Sequence, residues 1–555
     1  MKTKKILTLA LVLSFLFSSV GCSFLGGGNG SESESTGGSE SSSSSSSSSK
    51  KPVKDEEDIE VDEGGIVPGS LMPAYVFADN MVLQRDKEVN IYGAGGLRGS
   101  DVTVTFNGQT KSVNPDRSGT WCVTLDPMEA NAEGQTLTIS DEFYEYSYDN
   151  VVVGEVWYCS GQSNMAMTFS GLLGQRKMYN ISDYTKTPLA DYTKYTNWDQ
   201  IRIYTQAYGS TEIPHRWGNT SEKLANGWCA PSSLKDALEH SAYGVGFGLR
   251  LQEALGVPVG IIASSVGGSS IEEWLSEQTI EQENLELHYT EATKPHSRLY
   301  NGMSFALNNY TVNGLLWYQG CADSGPNTVP HWEADMIAFA KQFRKYHGDV
   351  AFISQSLVQY NDWVDWSFIR QTNYDLQFKI DNFYPVNGIA TGIPNEKDLP
   401  SDFTDWIHPI DKYGVSKDAA EIALTNVYKK TGYNDVAEYP VAVKKSGSDA
   451  IIEFKAGVTL KLSEGTTVNN LEVYSGNDWV LVNNATVSGN KITIPGGASY
   501  TKVRYACHNV MMPGATDSDV WKNAGFNSEQ IVNLYTTKAG CTDLAVTAFR
   551  EMEIK

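Results

Sequence analysis

Four short runs of apolar, β-branched residues recur through the middle of the chain, at 151–158, 257–264, 312–318 and 350–354. Each has strand length, and helix-patterned stretches lie between them. Tyr243, Phe247, Leu251 and Leu255 repeat at four-residue spacing, and Gly256 and Pro258 follow as stop signals, so 242–255 is predicted to be a helix. A second helix is expected over 332–346. Strands alternating with helices predict a parallel sheet covered on both faces, with its site at the carboxyl ends of the strands. Outside this region the period shortens to two. Runs at 89–92, 102–106, 119–125 and 136–139 are separated by turns such as Asn107-Gly108, and similar runs fill 450–505. The expected fold is therefore α/β: a three-layer α/β/α domain over 151–435, with β-sandwich-like domains at 70–150 and 436–555.

The first segment follows a different rule. Met1 to Lys5 is basic, residues 6–17 are apolar, and Ser19-Val20-Gly21-Cys22 resembles a bacterial lipobox with Cys22 as the lipidated residue. The apolar run is short for a membrane span. Ser19 stands where an aliphatic residue is usual, which leaves plain secretion open. Residues 23–69 are rich in Ser, Gly and Glu, with unbroken serine from Ser41 to Ser49, and read as a flexible tether. The expected location is the outer face of a bacterial cell membrane, with lipid as the sole membrane contact.

Net charge is −23, and residues 1–63, with six lysines and ten carboxylates, supply little of it. So acidic a body repels phosphate backbones, and nucleic acid is not an expected partner. The 29 Tyr and 13 Trp are numerous enough to stack on sugars, although core filling accounts for most aromatics. Nine of them lie in the polar stretch 174–235, which is expected to form a wall of the substrate site. The cysteines are scattered without Cys-x-x-Cys spacing, which argues against structural zinc. Cys507 and Cys541 are near enough in sequence to bridge.

Candidate chemistry collects at the predicted strand ends. The run Val151–Tyr158 leads into Ser160-Gly-Gln-Ser-Asn164, where a serine at a strand-to-helix turn would expose its hydroxyl beside helix N–H groups. Ser163 is the candidate nucleophile, and Asn164 beside it a candidate for oxyanion or substrate binding. Among eight histidines, His408 stands three residues after Asp405, a spacing that can orient an imidazole toward a serine. Gly267-Gly268 and Gln319 follow two further strands and offer donors to an oxyanion. Taken singly each has a plain structural alternative: a tight turn, or a surface histidine before Pro409.

Together these segments resemble the sialate O-acetylesterases of the SGNH (GDSL-like) hydrolases. The resemblance rests on Gly154-Glu-Val-Trp-Tyr-Cys-Ser-Gly-Gln-Ser-Asn-Met165, Ser264-Ser-Val-Gly-Gly-Ser-Ser-Ile-Glu-Glu-Trp274, Leu299-Tyr-Asn-Gly-Met303 and Trp317-Tyr-Gln-Gly320. It implies an SGNH-type core, Ser163 as nucleophile, His408 as base and Asp405 as its orienting acid. The implied oxyanion donors are the Ser163 N–H, one of Gly267 and Gly268 (with Gly268 preferred) and the Gln319 side chain. The implied activity is removal of O-acetyl groups from glycans through an acetyl-enzyme, with no metal or cofactor. One position departs: relatives follow Gln-Gly with Glu, whereas this chain has Cys321, which puts support of the Gln319 turn in doubt. The rival readings are a tethered glycan-binding protein with a lapsed site and an SGNH lipase.

Overall fold

The computed structural model describes residues 69–175, 178, 182–217, 227–290, 292–358, 366–389, 407–507 and 532–555. The expected leader with Cys22, the tether up to residue 68, and Asp405 lie outside the described residues. Six parallel strands form the centre: β1 (Glu145–Gly161), β2 (Ile201–Thr205), β3 (Val259–Ser265), β4 (Gly314–Tyr318), β5 (Ala351–Gln355) and β6 (Phe383–Val386). Their order is β2-β3-β1-β4-β5-β6. From β1 the chain crosses to β2, the outermost of these parallel strands on one side, and returns through β3 beside β1. It then adds β4, β5 and β6 in turn on the other side, so β1 marks the point where strand order reverses. In open α/β sheets that point places a crevice beyond the strand's carboxyl end.

Residues 151–161 of β1 are all buried, as a strand covered on both faces requires. Trp157 packs edge-on against Phe247, with ring centroids 4.9 Å apart, while Tyr158 packs against Phe343 at 5.5 Å. Consecutive strand residues point to opposite faces. Helices carrying Phe247 and Phe343 therefore cover opposite sides of the sheet: α2 (Ala242–Leu255) and α3 (Trp332–His347). Helix α2 begins where the Ser241 hydroxyl accepts the Gly244 N–H at 3.0 Å, and it ends at Gly256 in the left-handed region, φ 68°. Two of its glycines are contact points. A Cβ on Gly246 would lie 2.4 Å from the Ser416 hydroxyl, and one on Gly248 would lie 3.0 Å from Ile261. Small residues here let α2 seat against both β3 and the helix α4 (Lys412–Asn426).

The mixed α/β architecture agrees with the expected class, and the structure adds detail at the expected boundary. Residue 150 falls inside β1, whose first part pairs with Asn131–Ser140 and whose middle pairs with Val82–Gln84. Buried Glu155 fixes this junction, accepting Arg85 Nε at 2.5 Å and the Tyr428 hydroxyl at 2.9 Å. Gln84 and Arg85 thus serve the seam between sheets. Beyond residue 440, antiparallel sheets enclose a second core that includes Ile452, Val473, Val503 and Phe549. Cys507 and Cys541 are both free thiols, and Cys507 is buried against the Tyr505 and Phe549 carbonyls.

The segment 174–235 departs from expectation. It contains β2, and its aromatics fill the core: Tyr192, Trp198, Tyr204, Trp217 and Trp228 are all buried. Tyr192 donates to the Ala242 carbonyl and Trp228 to that of Val76. Tyr184 and Tyr195 are half-buried against the same core, and Tyr208 is 63% exposed. Ile201-Arg-Ile-Tyr-Thr205 is too short a run to outweigh the polar sequence around it, so the strand was hidden.

Candidate active site

Strand β1 ends at Gly161, where φ is 129° and a Cβ would lie 2.2 Å from the Tyr318 carbonyl oxygen. Only glycine permits that approach. The Gln162 N–H then donates to the same carbonyl at 2.9 Å, locking the end of β1 to the end of β4. Ser163 opens the helical turn α1 (Ser163–Ala166), so its N–H has no intrahelical acceptor. Ser163 is half-buried, while its neighbours Gln162 and Asn164 are buried.

His408 Nε2 lies 2.8 Å from Ser163 Oγ, bridging 245 positions of sequence. That contact is the one a general base requires before it can take a hydroxyl proton. The expected pair Ser163 and His408 is thus brought together, whereas the place of Asp405 is outside the described residues. The loop bearing His408 is anchored from the serine side. Asn164 Nδ2 donates to the Ile407 carbonyl at 3.0 Å, and Asn164 Oδ1 accepts the buried ammonium of Lys412. Lys412 also stands 5.6 Å from the centre of the Tyr318 ring. Asn164 was expected to meet substrate or oxyanion, but its amide is committed on both ends. It positions His408 relative to Ser163.

Gln319 is likewise corrected. Its Nε2 donates to the Ser269 carbonyl at 3.2 Å and to the Asp323 carboxylate, and its Oε1 accepts Trp332 Nε1 at 3.1 Å. An amide has two N–H donors, and both are used. At 1% exposure the side chain is an internal brace, not an open oxyanion donor. Gln162 does the matching task from the other side, its Oε1 accepting the Gly320 N–H at 3.1 Å and that of Ala322 at 3.4 Å.

Asp323 answers the doubt raised by Cys321. The Asp323 carboxylate, buried at 2% exposure, accepts both Gln319 and the Ile271 N–H, the latter at 3.2 Å. A carboxylate two residues past Cys321 thus supports the Gln319 turn. Burial pushes the Asp323 carboxyl up to about 7, and the Gln319 bond opposes this. Burial also pushes the Cys321 thiol up to about 12, with Lys412 pulling the other way, so Cys321 is a neutral thiol at pH 7.

The glycine pair forms a turn closed by the Ser269 N–H on the Val266 carbonyl at 3.3 Å. Gly268 holds φ 75° with open space around it, while a Cβ on Gly267 would lie 3.6 Å from Ser163 Cβ. Both glycines are exposed, and Gly267 is the one beside the nucleophile. Gln162, Asp323 and Lys412 were missed from sequence. Asp323 alone carried a signal, a carboxylate close to the position where relatives have Glu.

Residues 153–400 match the family model described as "Carbohydrate esterase, sialic acid-specific acetylesterase", a span that holds Ser163, both glycines and Gln319 and ends before His408. The sialate O-acetylesterase of Homo sapiens is 28% identical over 296 residues, covering 48% of this chain and 54% of that protein. The sialate O-acetylesterase of Mus musculus is 29% identical over 294 residues, covering 45% and 52%. The chain thus spans about half the length of the curated relatives it matches. A crystal structure of a carbohydrate acetylesterase from Xanthomonas citri aligns with TM-score 0.69 and 22% identity, covering 86% of this chain and 99% of that one. That likeness is one of fold. The resemblance first carried by motifs is therefore met again by sequence matching over the domain and by structure over most of the chain.

Proposed function

We propose that this chain is a serine carboxylic-ester hydrolase that removes O-acetyl groups from glycans, built on an SGNH-type α/β/α core with β-sandwich-like flanks. The observation that carries the reading is the 2.8 Å contact between Ser163 Oγ and His408 Nε2 at the carboxyl end of β1. The sialate O-acetylesterases matched by sequence supply the substrate class.

In this reading Ser163 Oγ attacks the acetyl carbonyl carbon while His408 Nε2 takes the hydroxyl proton. The tetrahedral oxyanion is held by the Ser163 N–H and a backbone N–H of the Gly267-Gly268 turn; Gln319, fully engaged, holds the turn in place. Collapse breaks the bond to the sugar oxygen, which receives the proton from His408, and leaves acetyl-Ser163. Water then gives a proton to His408 and attacks the acetyl carbon; collapse breaks the bond to Ser163 Oγ, which takes that proton back from His408, and acetate is released. Asp405, three residues before the base, is the acid we assign to orient it. The chain is further inferred to be tethered outside a bacterial membrane through Cys22.

The test is acetate release from O-acetylated sialic acid, xylan and pectin, with 4-nitrophenyl acetate and octanoate as references. Release from an acetylated glycan, preference for acetyl over octanoyl, and loss of both in Ser163→Ala with an unchanged circular dichroism spectrum are expected. Turnover retained by Ser163→Ala would overturn the mechanism, and preference for octanoate would overturn the substrate class.

A further inference from the structure

A second cluster of reactive side chains lies apart from the Ser163–His408 pair. Glu272, on the turn that follows β3, is buried, and its Oε1 accepts the backbone N–H of His288 at 2.8 Å. The same carboxylate oxygen lies 3.2 Å from His288 Nδ1, and Glu272 Oε2 accepts the Tyr289 N–H at 3.4 Å. A carboxylate accepts only, so this contact assigns the proton of neutral His288 to Nδ1. Nε2 then bears a lone pair. The His288 side chain is 10% exposed, and its Nε2 has no hydrogen-bond partner among the described residues. A buried lone pair left without a donor is costly unless something else fills it.

The neighbours of His288 suit a metal ion. The His331 ring lies over His288 with centroids 3.8 Å apart, and one ligand-capable atom each of Glu286, His288 and His331 falls within 4.8 Å of the other two. Two imidazoles at that separation repel when both are protonated, whereas binding one cation through a nitrogen lone pair of each keeps both rings neutral. Asp323 and Asp335 lie within electrostatic range of Glu272, and Lys294 lies near Asp323. The pairing of Glu272 with the far nitrogen of His288 is the arrangement that outer carboxylates adopt behind metal-bound histidines.

We propose that Glu286, His288 and His331 form a zinc-binding site, with Glu272 orienting His288 from behind. Two imidazole nitrogens and one carboxylate oxygen are a zinc donor set that leaves a fourth position for water. Closing it requires the ligand atoms to approach to about 3.3 Å, the ligand spacing of a tetrahedron with zinc's bond lengths. Glu286, exposed, is free to make that movement. The site would act as a brace. His331 precedes α3, Glu272 follows β3, and the Tyr289 hydroxyl donates to the Ala322 carbonyl at 2.6 Å. Zinc would thereby fasten the 286–289 segment to the loop that carries Gln319 and Asp323. Nothing in the inference depends on the esterase reading.

The test is calorimetric titration of the chelator-treated full chain with zinc chloride, with cobalt(II) as a spectroscopic probe. One zinc per chain at micromolar or tighter affinity is expected, with a rise in Tm and cobalt visible bands of four-coordinate type. Glu286→Gln, a surface change, should weaken binding at least tenfold, and Glu272→Gln by roughly 10- to 100-fold. Ser163→Ala should bind zinc unchanged, which separates this result from the fate of the esterase reading. Absence of saturable zinc binding by folded protein, or unaltered affinity in Glu286→Gln, would overturn the proposal.

Discussion

The turns that end β1 and β4 lie side by side, joined by the Gln162 N–H on the Tyr318 carbonyl. Each belongs to a motif that resembles a hydrolase signature, and each carries a polar residue at its tip. Their hydrogen bonds separate them. Ser163 is half-buried, and among the described residues the side-chain partner of its hydroxyl is the His408 ring. Gln319 is buried and spends both donors and its acceptor on Ser269, Asp323 and Trp332. One turn is left open for chemistry, and the other is closed to hold it in shape. Membership of a motif does not distinguish a reacting group from a brace; accounting for donors and acceptors does.

The widest gap between the two turns should appear on removing the open one's base. His408→Ala is expected to lower kcat for 4-nitrophenyl acetate by on the order of 10⁴-fold or more, with unfolding midpoint little changed. Gln319→Leu should do the reverse. It strands the Ser269 carbonyl, the Trp332 N–H and Asp323 in a buried site, at about 1–3 kcal/mol each, so a stability loss of about 5 kcal/mol in urea unfolding is expected. A drop of 10²- to 10³-fold in kcat at unchanged stability would instead make Gln319 an oxyanion donor and erase the contrast.

The closed turn also predicts a pH dependence. The Asp323 carboxyl is raised above its unfolded value, so the folded state holds a proton that the unfolded state has lost between about pH 4 and about pH 7. Its contribution favours folding at the acid end of that window and is lost as pH rises through it. Asp323→Asn keeps a carbonyl for the Gln319 and Ile271 N–H groups but has no charge to bury. Wild type should lose up to ~4 kcal/mol relative to this variant between pH 4 and pH 8, read from urea midpoints at both pH values. Parallel profiles would contradict it. The smallest effect separates the glycines: Gly268→Ala, at φ 75°, should cost about 1–2 kcal/mol, whereas Gly267→Ala should leave stability unchanged and impair catalysis by placing a methyl beside Ser163.

Much of this was legible in the sequence, for identifiable reasons. The apolar runs of β1, β3, β4 and β5 are nearly uninterrupted because both sheet faces are covered, and α2 declares itself by period and by Gly256. Ser163 stood out by its place at the end of a buried strand run, and His408 as one of eight histidines, three residues after Asp405. Strand β2 stayed hidden because Ile201–Thr205 is short and lies amid polar sequence. The misreadings of Asn164 and Gln319 share a cause. An amide can face a ligand or the protein interior, and sequence does not show where its partners lie. Lys412 and Asp323 became visible as site supports only when folding buried them beside those amides.

The central claim is that Ser163, activated by His408, is the nucleophile. Treating the full chain with a fluorophosphonate and mapping the adduct by mass spectrometry tests it directly. The expected result is one modification, on the peptide bearing Ser163, at a rate that collapses in His408→Ala. An adduct on another residue, or labelling of Ser163 at the same rate without His408, would contradict it.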